Sequence, residues 1–206
     1  MIIEIKTELF DNNDWNSLNY LIQILIYKQR YELFIECSIV EETKYWKKLD
    51  IDEQKEIKYN YKKIIQEGTE PKYFIAINNN QNNYFNIEEA IRFFNQPVSI
   101  VLENSLNDQY FLLAIIKYFD VTKEIQKQVD NGWIQFENAG GCTNVENFVK
   151  GKLQSFNNLS SKNNRLNYTY LRCFVLLDGD NVIAHPLKAY IFQPVINTRY
   201  NLYLYK

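Results

Sequence analysis

The chain has 206 residues, enough for one domain of good size or two small ones, and its sixteen Tyr and thirteen Phe within a 46% hydrophobic composition support a real core. No stretch approaches the roughly 20 consecutive apolar residues of a membrane span, and Met1–Lys6 lacks the basic-then-apolar pattern of a secretory leader. Cys37, Cys142 and Cys173 are odd in number and form no CxxC, so they suggest neither a disulfide framework nor a zinc site, and the default setting is a reduced, cytoplasmic one.

Met1–Lys6 reads as a strand. From Asp14 to Glu36, Trp15, Leu18, Leu21, Ile22, Leu25, Ile26 and Phe34 recur near helical spacing, with Asp11 or Asp14 as cap. A second helix, polar and rich in Lys and Glu, is expected over Asp50–Gln66, closed by Gly68 and Pro71. Tyr73–Ile77 alternates like a strand, residues 78–83 form a polar Asn-rich loop, and Ile87–Phe94 is a short helix. Residues 1–96 are thus expected to be a mixed, mainly helical region.

The rhythm changes at Pro97. The apolar run Pro97–Leu102 reads as a strand ending in Glu103, and Ser105-Leu106-Asn107-Asp108 resembles a capping box ahead of the apolar helix Tyr110–Phe119. Trp133–Phe136 is a second strand, running out through Glu137-Asn138-Ala139-Gly140-Gly141. Thr143-Asn144-Val145-Glu146 is a full capping box opening a helix from Val145 to about Phe156. A polar Asn- and Ser-rich loop then leads to a third strand, Leu171–Leu177, which stops abruptly at Asp178-Gly179-Asp180. Strand, helix, strand, helix, strand predicts a mostly parallel sheet with right-handed crossovers. No internal repeat is visible.

In such a sheet the strand carboxyl ends share one edge, where open α/β sheets carry their chemistry. Glu103 and the Asp178/Asp180 pair are therefore expected together, although about seventy-five positions separate them. Hard cations such as Mg²⁺ or Mn²⁺ take carboxylate oxygens of this kind. Charge adds to the case. From Asn147 onward the bases Lys150, Lys152, Lys162, Arg165, Arg172, Lys188, Arg199 and Lys206 face only Asp178 and Asp180, a local net charge of +6 within a chain of net −2. An acid pair on a basic segment suits a metal site facing a phosphate backbone.

Val101-Leu102-Glu103-Asn104, Ala139-Gly140-Gly141 and Leu177-Asp178-Gly179-Asp180 together resemble the Toprim domain of topoisomerases, primases and several nuclease families. The wording around Leu102–Asp108 is most similar to Toprim nucleases of the overcoming-lysogenization-defect type and related phage-defence effectors. The resemblance covers roughly residues 97–185. It implies a Toprim-like, Rossmann-like α/β domain over 97–206 and Mg²⁺- or Mn²⁺-dependent cleavage of DNA or RNA phosphodiesters. Glu103 would be a ligand or general acid/base, and Asp178 and Asp180 metal ligands. Gly140, Gly141, Lys150, Lys152, Arg165 and Arg172 are the candidate nucleic-acid contacts. A further helix and strand are implied after the acid pair, whereas Tyr190–Val195 and Tyr200–Tyr205 read as extended, which leaves open a domain incomplete at its carboxyl end.

Other readings stay open at this point. Asp178-Gly179 before Val182-Ile183-Ala184 is also a hairpin signal, in which the acids only form a turn. A DxD after an apolar strand occurs in nucleotide-sugar glycosyltransferases as well, but the nucleotide-binding strand and turn they open with is not found here. Gly140-Gly141 serves either a tight turn or backbone approach to phosphate. His185, the one histidine, reads as a loop residue beside Pro186. A non-catalytic Toprim-like module binding nucleic acid, a partner protein or a second copy is the rival from another class.

Overall fold

The computed structural model describes residues 1–11, 15–27, 30–103 and 105–176. Asp178, Asp180, the hairpin alternative, His185 and the two extended stretches after it lie outside the described residues. The chain divides into two compact units, Met1–Asn95 and Gln96–Lys206. Each is an α/β unit built on its own parallel sheet.

The first unit runs β1 (Ile2–Ile5), α1 (Trp15–Tyr27), β2 (Glu32–Phe34), α2 (Cys37–Val40), α3 (Ile51–Glu67), β3 (Tyr73–Ile75), β4 (Tyr84–Phe85) and α4 (Ile87–Asn95). Its strands pair in parallel in the order β2-β1-β3-β4. Helices hold most of its regular residues, yet they surround four strands, two more than the sequence pattern supplied. The long helix expected over 14–36 stops at Tyr27, and β2 follows. Tyr31, Leu33 and Ile35 are buried at alternate positions, the period of a strand. A parallel strand covered on both faces is near-continuously apolar, and β1 accordingly buries Ile2, Ile3 and Ile5. Aromatic packing closes the other end of the unit, with Tyr73, Phe85 and Phe93 around Phe94 at centroid separations of 5.6, 6.0 and 5.1 Å.

Helix α3 lies where its caps put it. The Asp50 carboxylate accepts the backbone N–H groups of Asp52 and Glu53 at 2.8 Å, and the Glu53 side chain accepts the Asp50 N–H in return.

The second unit contains β5 (Val98–Leu102), α5 (Ser105–Phe119), α6 (Glu124–Asp130), β6 (Ile134–Asn138), α7 (Val145–Gln154), α8 (Asn157–Asn163) and β7 (Cys173–Leu176). Its order is β6-β5-β7, all parallel, with Leu102 paired to both Asn138 and Leu176. One face of this sheet packs Val101 and Val175 against Val145 and Val149 of α7. The pleat sends Ile100, Phe136 and Phe174 to the other face, where Phe174 stays 38% exposed. Two local expectations fail. The stretch read as a polar loop before β7 contains α8 and a 3-10 turn, Asn167–Tyr170, anchored by the buried Tyr170, whose carbonyl accepts from Gln96 Nε2 at 2.7 Å. The capping box at Thr143–Glu146 does not form, because a 3-10 turn over Cys142–Asn144 precedes α7 and Asn144, in helical conformation, makes no side-chain cap bond. Among the described residues no helix is long and apolar enough to cross a membrane.

Acid sensitivity of the first unit follows from Glu36. Its Oε1 accepts the Ser38 hydroxyl at 2.7 Å and the Tyr61 hydroxyl at 2.8 Å, and these bonds hold the carboxyl below its usual range. A depressed carboxyl stabilises the fold above its unfolded pKa and loses that contribution as pH falls through the folded-state value. Tyr61→Phe is therefore expected to lower the neutral-pH melting temperature of this unit and to flatten the acid limb of its stability profile, measured by thermal melts across pH.

Candidate functional site

The second unit's strand order determines which groups meet. The central strand β5 is also the first in sequence; the chain passes to β6 on one side and then crosses to β7 on the other. In open α/β sheets, the crevice at such a reversal, outside the strand carboxyl ends, is where ligands bind. Glu103 leaves the end of β5 there, partly exposed. Because Leu102 is paired with Leu176, β7 reaches the same edge, and Leu177 and Asp178 come next in the sequence.

The other side of Glu103 is formed by the turn after β6. Asn138 bends its side chain back to accept the Gly140 N–H at 2.9 Å, and the Gly141 N–H donates to the Glu103 carbonyl at 3.0 Å. Asn144 Nδ2 in turn donates to the Gly140 carbonyl at 3.0 Å. The two glycines have φ of +78° and +110°, backbone that side chains rarely adopt. A Cβ at Gly141 would meet nothing within 4 Å, so the glycine is required by conformation and not by crowding. Glu103, Asn138, Gly140 and Gly141 together line a shallow, open depression. Both glycine amides are donated inside the turn, so the pair shapes the floor of this depression instead of presenting two open donors to an anion.

The basic candidates are distributed differently. Lys150, midway along α7, pairs with Glu146 at 2.6 Å on an exposed face. Lys152 reaches back over the sheet to Glu137 Oε2 at 2.6 Å and Ser99 Oγ at 3.2 Å, in a half-buried cluster. Arg172 directly precedes β7, and its carbonyl accepts the Ser99 N–H at 2.9 Å. That places its backbone at the amino edge of the sheet, about 13 Å from the strand end at Leu176 at about 3.3 Å per residue. Arg165 lies between α8 and the following 3-10 turn, its N–H donating to the Ser160 carbonyl at 3.0 Å. The structure thus brings Gly140 and Gly141 to Glu103, holds the Lys152 ammonium over the face of the sheet between Ser99 and Glu137, and sets the Arg172 backbone at the opposite edge. Among the described residues no three His, Cys, Asp or Glu side chains stand together as a metal-holding group.

Sequence reading missed Asn138, the residue that sets the turn, although an Asn two positions before a Gly-Gly pair carries the usual Asx-turn signal. It also missed the Ser99–Glu137–Lys152 cluster, whose members come from three separate elements. Cys173 lies on the same face of the sheet, and burial pushes its thiol up to about 11, which makes it an unreactive core residue. No family model matches the chain, and no curated protein or solved structure matches it.

Gly141→Ala is expected to destabilise the second unit by about 1–3 kcal/mol through backbone strain alone. Denaturant unfolding checks this, and Gly151→Ala, in the interior of α7 with open space around it, is the contrasting control and is expected to be neutral or stabilising.

Proposed function

We propose that the second unit is a Toprim-like domain that cleaves phosphodiester bonds of DNA or RNA with Mg²⁺ or Mn²⁺, held by Glu103, Asp178 and Asp180. The observation that carries this reading is the β6-β5-β7 order, in which the strand ending in Glu103 lies beside the strand that runs into Leu177-Asp178-Gly179-Asp180. Glu103 suits the role: a partly exposed oxygen donor beside an open depression, fixed at its backbone by the Gly141 N–H. A divalent cation there supplies Lewis-acid polarisation of a phosphoryl oxygen. Glu103, with its carbonyl tied to the β6–α7 turn, orients an attacking water or takes its proton. Asn138 holds the turn that keeps the approach open. The phage-defence role rests on the resemblance alone.

Cleavage of supercoiled plasmid, single-stranded DNA and RNA with Mg²⁺ and with Mn²⁺ tests this proposal. Glu103→Gln and Asp178→Asn/Asp180→Asn are expected to lose roughly 100-fold or more, since even the outer partners of a metal ligand are worth about 10–100-fold. Equal cleavage by the wild type and these variants, or none by either, removes the catalytic reading and leaves a non-catalytic binding module.

A further inference from the structure

Helix α5 is apolar over most of its circumference, and a sheet can bury only one side of a helix. None of its described side chains is fully buried. Tyr110 and Phe111 are about two-thirds exposed, and Tyr118 and Phe119 are 76% and 78% exposed. The turn after α5 extends this surface. The Asp120 carboxylate accepts the Gln126 N–H at 2.8 Å and the Thr122 hydroxyl at 3.3 Å, which holds Val121 outward at 88% exposure and Ile125 beside it.

The exposed residues follow a definite spacing. Asn107, Phe111, Ala114 and Tyr118 are all exposed and separated by four, three and four positions. That is the 3.5-residue seam by which one helix packs against another. The apolar surface around this seam exceeds that of an ordinary monomer. With aromatic side chains at about 150–250 Å² each, the exposed apolar groups of α5 and the following turn amount to on the order of 800–1,000 Å². The largest apolar patch on a typical monomer is about 300–600 Å², and a standard interface takes about 800 Å² from each partner.

We propose that α5 is the interface of a homodimer, packed antiparallel against α5 of a second copy about a two-fold axis midway between Phe111 and Ala114. The seam complements itself in that arrangement. Phe111 comes level with the small Ala114 of the other copy, so a large residue meets a small one on each side of the axis. Asn107 comes level with Tyr118, which gives the amide a hydroxyl partner. A two-fold contact uses one patch on both chains and closes at the dimer.

Sedimentation equilibrium of the full chain is expected to show a dimer in the micromolar range. Ala114→Glu, which sets two like charges across the axis, is expected to raise the dissociation constant roughly 100-fold or more, with unchanged circular dichroism because Ala114 is exposed. Orientation is read separately by disulfide cross-linking. A mixture of Asn107→Cys and Tyr118→Cys chains is expected to give a covalent dimer under oxidation, while Asn107→Cys alone gives no more than the wild type. A monomeric wild type, a dimer indifferent to Ala114→Glu, or cross-linking by Asn107→Cys alone would overturn the proposal. The first of these outcomes would assign the face to another segment of the chain or to a different protein.

Discussion

Parallel strand pairing is the constraint on which both units depend. Two neighbouring parallel strands cannot be joined by a tight turn, so the chain needs a longer crossover before it pairs again; helices supply it from β1 to β2 and from β5 to β6, while residues 76–83 join β3 to β4 without one. In both units the first strand in sequence becomes central, flanked by the second on one side and the third on the other. Two stretches without a visible sequence repeat therefore arrive at the same winding. In the second unit it brings Glu103 and the end of β7 to one edge. No side-chain contact is needed to establish this, because pairing of Leu102 with Leu176 suffices.

The electrostatics of the second unit are more local than its net charge suggests. Read along the chain, its bases form a field against two carboxylates. In the fold, Lys150 and Lys152 each have a carboxylate within 2.6 Å. The Lys152 pair is the more consequential, because Glu137 and Lys152 are both largely removed from water and share Ser99 as a third partner. Removing one member of such a half-buried pair leaves the other without its counter-charge, which costs more than the intact pair contributes. Loss of nucleic-acid binding in a Lys152 variant would therefore confound contact with stability, whereas Glu103 makes its fold contact through its backbone carbonyl and is open to a cleaner test.

Legibility in the sequence followed the length and purity of each pattern. Strands β1, β5 and β7 are short, mostly apolar runs, and α3 carries a capping box at one end and Gly68 at the other, so local chemistry was enough to find them. Strand β2 was absorbed into the preceding helix because Phe34 falls near α1's helical spacing, while the alternation of Tyr31, Leu33 and Ile35 spans only five positions. Strand β4 has two residues and α8 is made of Asn, Ser and Lys, so neither has a periodicity to read. At the candidate site, Glu103 and Gly140-Gly141 were legible because a strand followed by a turn places them. The bonds that set the turn were not, since they depend on the conformation that the two glycines adopt.

The least legible property was how unevenly the second unit's sheet is used. On one face Val101 and Val175 pack against α7 at core density, with Val145 and Val149 almost fully buried. Helix α5, which packs along β5 and β6, buries no described side chain completely even though it is the more apolar of the two. An amphipathic helix such as α7 fits a sheet because its apolar stripe is as wide as the contact. A helix apolar over more than half its circumference leaves an apolar arc beyond the sheet's reach. Composition counts α5 as core material, and only the fold shows that most of it lies on the outside.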